Sequence, residues 1–316
     1  MTSERGLGRS RGADGRDSTL APMSGWGMTD CTTLIARTGR KGRVPRRHAV
    51  RTTVRLAGSQ GYAAVMADRS AIEWTEATWN PVTGCDRISP GCDNCYALTL
   101  AKRLKAMGVD KYQHDGDPRT SGPGFGVTLH PQTLGQPRKW RAPRLVFVNS
   151  MSDLFHAKVP VSYVKDVLDV IRETPQHTYQ VLTKRATRAR RLADQLDWPS
   201  NLWLGVSVET AEYFQRVDAL REVPAAVRFL SCEPLLGDLK GINLEGIGWV
   251  IAGGESGPRY RPMQVDWARS IRDACVNAGV PFFFKQWGGA TPKRHGRTLE
   301  GRTWDELPET TRALAN

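Results

Sequence analysis

The segment TGCDRISPGCDNCYA, residues 83 to 97, places Cys85, Cys92 and Cys95 within eleven residues. Thiolates are soft donors that suit zinc or the irons of an iron–sulfur cluster. Cys92 and Cys95 form a C-x2-C knuckle, which brings two thiolates to one metal centre from a single turn. Gly84, Pro90 and Gly91 shape the loop, and Cys85 reaches back from its other side. A structural zinc needs four ligands in a closed tetrahedron. The loop has no fourth, and the next candidates are His114, His130 and His156. A [4Fe–4S] cluster on three thiolates accounts for the missing ligand, because its fourth iron stays open to bind something else. Three unrelated core cysteines are the remaining reading.

Such a loop needs a scaffold, and the sequence after Ser70 describes one. Continuous apolar runs recur in RLVFVNSMSDLF (144–155), TYQVLTKR (178–185), NLWLGVSVE (201–209), VRFLSCEPL (227–235), GWVIAGGESG (248–257) and PFFFKQWGG (281–289). This is the pattern of strands buried on both faces. Between them VSYVKDVLDVIRETP, TRARRLADQLD, AEYFQRVDALREV and VDWARSIRDACVNAG carry apolar residues three and four apart, as amphipathic helices do. Repeated alternation of strand and helix predicts a parallel α/β fold. The runs end on polar residues: Ser150 and Asp153, Lys184, Ser207 and Glu209, Glu233, Glu255, Lys285 and Gln286. A barrel gathers such C-terminal ends at one mouth, whereas an open doubly wound sheet uses only those at its switch point. A parallel (β/α) barrel, complete or partial, is therefore expected. The Gly- and Pro-rich segment 110–143 reads as an ordered lid or insertion beside the cysteines. Residues 290–316 read as a tail with a short last helix.

The chain has 316 residues and a formal net charge of +13. Residues 1–65 hold 12 Lys/Arg and four Asp/Glu, a net of +8, which leaves +5 for the rest. The global charge is thus weak evidence for a nucleic-acid partner. Residues 1–68 read as a disordered basic arm, either binding polyanions or preceding a true start at Met66; 69–308 read as the barrel domain and 309–316 as a tail. No run of about 18 apolar residues occurs and the start lacks a secretory pattern, so a cytoplasmic location is the expectation. With six cysteines in a chain of this size, clustering favours metal or redox chemistry over a disulfide framework.

A three-cysteine loop after a first strand, followed by an α/β barrel, resembles the radical S-adenosylmethionine (SAM) superfamily. The gap of six between Cys85 and Cys92 departs from its common C-x3-C-x2-C spacing. CDNCYA is similar to the C-x-x-C-Y-A of spore photoproduct lyase and its relatives, and VLTKR, GVSVET and CEPLLGDL resemble their later strands. IEWTEATWNPVTGCDRISPGCDNCYA, with VNSMSDLFH, LTKR, CEPL and AGGESG, is still more similar to an uncharacterised three-Cys-motif family common in phages, prophages and bacterial genomes. The resemblance spans about residues 69 to 308. It implies a [4Fe–4S] cluster on Cys85, Cys92 and Cys95, SAM bound at the open iron, and an external electron donor whose electron cleaves SAM to a 5′-deoxyadenosyl radical. It also implies a three-Cys-motif partner protein, which is often associated with the family.

On this reading Asn149, Ser150 and Asp153 contact SAM, Asp153 facing its ammonium or else capping a helix. Ser207 and Glu209 join them. Lys184 pairs with Glu209 or Glu233, or meets the SAM carboxylate. Glu233 and Glu255, with Lys285, face the substrate, and Lys184, Glu233 and Glu255 are the catalytic candidates. Cys232 reads as a small buried residue, a fourth ligand or a hydrogen donor. Trp74 and Trp79 are expected to shield the iron. RATRARR (185–191) either grips nucleic-acid phosphates or forms a solvated helix face. The competing functions are a non-catalytic metal-stabilised phage or prophage binding protein and a zinc hydrolase. The hydrolase lacks any His-x-His or His-Glu-x-x-His pattern.

Overall fold

The computed structural model describes residues 70 and 72–309, so the expectations for the basic arm at 1–68 and for the end after 309 fall outside the described residues. Seven strands form one parallel sheet: β1 (Ala77–Trp79), β2 (Leu145–Val148), β3 (Thr178–Thr183), β4 (Leu202–Ser207), β5 (Val227–Cys232), β6 (Trp249–Gly253) and β7 (Phe282–Gln286). They lie side by side in chain order, and every adjacent pair is parallel. A doubly wound sheet reverses strand order at a switch point. This sheet never reverses, so it is a partial (β/α) barrel.

Five α-helices are described: α1 (Tyr96–Ala106), α2 (Val161–Glu173), α3 (Ala186–Arg191), α4 (Gln215–Arg221) and α5 (Val265–Ala278). The last four match the segments that the 3.6-residue periodicity marks, α3 starting one residue before its segment. α1 begins directly after Cys95, outside those segments, and buries only the small residues Ala97 and Ala101.

Side-chain parity divides the sheet into two faces. Val146, Val148, Tyr179, Val181, Leu202, Leu204, Val206, Leu230, Cys232, Val250, Ala252, Phe282 and Phe284 pack with apolar helix residues such as Val164, Leu168, Leu220 and Ile271. The opposite parity faces inward and is graded along the strands. Near the strand starts, Trp74, Phe147, Trp203, Phe229, Trp249 and Phe283 fill the interior. Trp249 is its hub, with ring centroids 5.6 to 6.2 Å from Trp74, Trp203, Phe229 and Phe283. Continuing along the same parity, β3, β4 and β5 lead to Lys184, Ser207 and Glu209, and Glu233. The interior therefore runs from an aromatic plug to a charged mouth.

Two expectations change. Trp74 belongs to the aromatic plug, and Trp79 packs edge-on against Tyr179 in the outer core, with its indole N–H on the Thr133 carbonyl at 2.9 Å. Both build the core rather than shield the cysteine loop. The expected C-terminal tail is partly sheet: Thr298–Leu299 pairs with Arg302–Thr303, and Phe284 N–H donates to the Trp304 carbonyl at 2.9 Å. Residues 304–306 thus cover the free edge of β7. Among the described residues, no helix is long and apolar enough to cross a membrane.

Candidate functional site

The cysteine loop leaves the sheet after β1 through the two-residue strand Val82–Thr83, which pairs antiparallel with Thr128–Leu129 of the insertion. The insertion is ordered and lies against the loop, as expected. Arg87 N–H donates to the Thr120 carbonyl at 3.0 Å, and the Thr120 and Ser121 hydroxyls donate to Asp86 at 2.7 and 3.1 Å. Gly84 has φ +86°, and a β-carbon there would lie 2.2 Å from the Gly126 carbonyl oxygen. Only glycine permits this approach.

Two carboxylates from the mouth hold the far part of the loop. Glu209, fully buried just beyond β4, accepts the Ser89 hydroxyl at 2.7 Å. The same carboxylate pairs with Lys184, and with Arg216 at 2.8 Å. Burial opposes its charge, but the Lys184 and Arg216 cations and the hydrogen bonds from Lys184 and Ser89 hold its pKa below the usual carboxylate range. Its side chain lies so close that a β-carbon on Gly91 would come within 2.5 Å of it. Glu255, beyond β6, accepts Asn94 at 3.0 Å and is forked by Arg261 at 2.6 and 3.0 Å. Arg261 also donates to the Pro90 carbonyl at 2.8 Å and lies 3.5 Å from Asp93. The residues around Cys92 are thus pinned to strand ends on the far side of the sheet.

Cys85 is engaged differently. Arg185, directly after β3, places Nη1 3.3 Å from the Cys85 sulfur and Nη2 3.0 Å from the Asp86 carbonyl. Asp153 holds this guanidinium at 2.9 Å. Asp153 also accepts Phe155 N–H, the Thr183 hydroxyl and Lys184 N–H at 2.9, 2.7 and 3.1 Å. The Cys85 thiol is pushed up to about 12, chiefly by burial and also by the Asp153 charge, against the pull of Arg185. The Cys95 thiol is also raised, chiefly by burial.

The described cysteines are all free thiols, and Cys31 falls outside the described residues. Among the described residues, no three His, Cys, Asp or Glu converge as a mononuclear metal site requires. Zinc draws its ligands to one point. The thiolates of a cubane ligate three separate irons and need no such convergence. Two of the candidate histidines have other partners. His130 shares a 2.8 Å contact with the Thr83 hydroxyl, and His156 bonds Asp86 at 3.0 Å while accepting Lys158 N–H at 3.1 Å. Cys85, Cys92 and Cys95 supply soft thiol donors, the ligand type that an iron–sulfur group takes.

The family model described as "Protein of unknown function (DUF5131)" matches residues 69–308. The chain belongs to this family. A spore photoproduct lyase complexed with dinucleoside spore photoproduct is similar in structure at 13% identity, over 65% of this chain and 62% of that one, with a TM-score of 0.40. A variant of that lyase with bound AdoMet and the same dinucleoside matches at 13% identity over 63% of this chain and 60% of that one, with a TM-score of 0.39. The aligned region spans under two thirds of the length of those chains. No curated protein matches.

The matched segment, residues 69–308, contains all of the expected site residues. Asp153 accepts bonds on both oxygens and orders the end of β3 and Arg185. Glu255, expected at the substrate, is the loop clamp. Lys184 pairs with Glu209, one of the partners considered for it. Glu233 pairs with Lys285 at 3.0 Å and accepts the Ser231 hydroxyl at 3.2 Å. Asn149 takes a left-handed backbone (φ 60°), accepts Val82 N–H at 3.2 Å, and leaves its buried Nδ2 without a partner. Ser150 accepts the Tyr96 hydroxyl on its carbonyl at 2.5 Å, and the Ser207 carbonyl accepts Arg216 at 2.8 Å. Cys232 is a fully buried core residue, away from the mouth-facing parity. Arg188 of the basic segment donates to the His156 and Val159 carbonyls, and Arg190 pairs with Glu222. That segment is therefore largely structural. Sequence reading missed Ser89, Asn94, Arg185, Arg216 and Arg261. Only Arg185 left a signal, as a second cation beside Lys184 at a strand end.

Proposed function

We propose that this protein is a radical SAM-type iron–sulfur enzyme. Cys85, Cys92 and Cys95 would hold a [4Fe–4S] cluster at the mouth of the half-barrel. With SAM bound at the open iron, such a group supplies a carbon-centred radical that takes hydrogen from a substrate. The observation that carries the reading is the loop of three free thiols, Cys85, Cys92 and Cys95, fixed across the charged end of a parallel half-barrel. The chain's own residues then have distinct tasks. Glu209 and Glu255 hold the loop over the mouth. Asn149 offers a buried amide donor for an acceptor on the cofactor, and Ser150, Ser207 and Lys184 line the same end. Glu233 and Lys285 offer a carboxylate and an ammonium to a polar substrate, for which a nucleic acid or nucleotide is the class we favour. The aromatic plug closes the opposite end and keeps the interior dry. An external reductant supplies one electron, and a three-Cys-motif protein is the proposed partner.

Anaerobic purification and reconstitution test this. The expected result is a brown protein with about four irons per chain that cleaves SAM when reduced with dithionite. Stoichiometric zinc without iron would overturn it, and iron uptake without SAM cleavage would favour a metal-stabilised binding protein.

A further inference from the structure

The three thiols are not equivalent. The Cys92 sulfur has the Ser89 hydroxyl at 3.7 Å, and Cys95 has backbone N–H groups of Ala97 and Leu98. Cys85 alone among them accepts a hydrogen bond from a cation, the Arg185 guanidinium at 3.3 Å, whereas Lys184 acts on Cys95 through its charge only.

We propose that Arg185 is a tuning residue of the three-thiol site: by donating to the Cys85 sulfur it raises the reduction potential of the cluster bound there. This rests on the cluster reading above. One-electron reduction by the external donor adds negative charge to the cluster, and the donor is oxidised by one electron. A fixed cation and an N–H···S hydrogen bond both favour the more negative state, and hydrogen bonds to sulfur are among the factors that set such potentials.

Arg185 is built into this position. It precedes the first turn of α3, and its fork reaches the Cys85 sulfur, Asp153 and the Asp86 carbonyl at once. Asp153 is itself fixed by Phe155, Thr183 and the backbone of Lys184, so the guanidinium cannot swing away without breaking that set. A lysine would keep the charge but could not span three acceptors. Nearby Arg188 is committed to the His156 and Val159 carbonyls and is no substitute.

The test is a redox titration of reconstituted wild-type, Arg185→Gln and Arg185→Lys proteins, followed by electron paramagnetic resonance of the reduced cluster. Arg185→Gln should shift the midpoint to more negative potential, about tenfold in the reduced-to-oxidised ratio or about 59 mV for one electron. Arg185→Lys should restore part of the shift. An unchanged midpoint in Arg185→Gln with full iron content overturns the inference alone. Loss of the cluster from both folded variants also overturns it, since Arg185 would then be needed to seat the cluster rather than to tune it. Wild-type protein that takes up no iron overturns the cluster reading itself.

Discussion

Ser89 and Glu209 are 120 residues apart in the chain and 2.7 Å apart in the structure. That hydrogen bond ties the cysteine loop to the end of β4. It also explains Gly91: the Glu209 side chain passes where any larger residue's β-carbon would sit. The carboxylate serves Ser89, Lys184 and Arg216 together, so the loop's position depends on one fully buried charge.

Replacing Glu209 by alanine should therefore be severe. It would strand the buried Arg216 and half-buried Lys184 cations, and breaking a buried pair costs about 3–5 kcal/mol. Denaturant unfolding should show that loss. Glu209→Gln keeps the shape and one acceptor, so it should be milder, with iron uptake per chain falling further than stability does.

Cys92→Ala should keep its circular dichroism and unfolding midpoint to within about 1–2 kcal/mol, the scale of a small buried truncation. It should lose the iron–sulfur absorbance after reconstitution. Cys232→Ala is the matched control. Its thiol sits in the outer core, so this variant should lose stability by a similar amount and retain the chromophore.

Iron loading should depend on pH in a defined direction. Burial raises the Cys85 thiol to about 12 and also raises Cys95. Ligands must lose their protons to bind. Loading at fixed iron and sulfide should therefore rise with pH across the range in which the protein is folded, and the protons released can be counted by titration.

Acid should weaken the loop's support from the insertion. Burial opposes the charge of Asp86, yet the hydroxyls of Thr120 and Ser121 and the Lys158 cation hold its pKa down to about 2, against an ordinary 3.8. A depressed acid stabilises the fold above its unfolded value and loses that contribution as pH falls through its folded value. The contribution should be complete above about pH 4 and gone near pH 2. Asp86→Asn should flatten that part of the stability–pH curve, measured by thermal unfolding.

Trp249→Ala should cost about 3–5 kcal/mol, because it empties the hub of the inner aromatic plug. The damage lies at the strand starts. Iron content and the Cys85–Arg185 contact should survive in whatever fraction stays folded, as spectroscopy of the reconstituted protein would read.

Much of this architecture is legible along the chain, because it is local or periodic. The three cysteines announce metal chemistry by type and spacing. Six apolar runs and four amphipathic segments define the α/β alternation, and parity alone sends Lys184, Ser207, Glu209 and Glu233 to the same side as the aromatic plug. The sheet's openness was left undecided, since one repeat pattern serves a full and a partial barrel. Only the seven-strand order and the cover that residues 304–306 place over β7 decide it. Which acid does what was not legible either. The sequence does not show that Arg185, Thr183 and two backbone N–H groups meet on Asp153. Nor does it show that Arg261 and Asn94 meet on Glu255. A sequence states the chemistry each side chain can perform, because that is set by its own atoms. Which partner it meets is set by chain segments tens to more than a hundred residues away, and only the packed tertiary structure brings those within hydrogen-bonding distance.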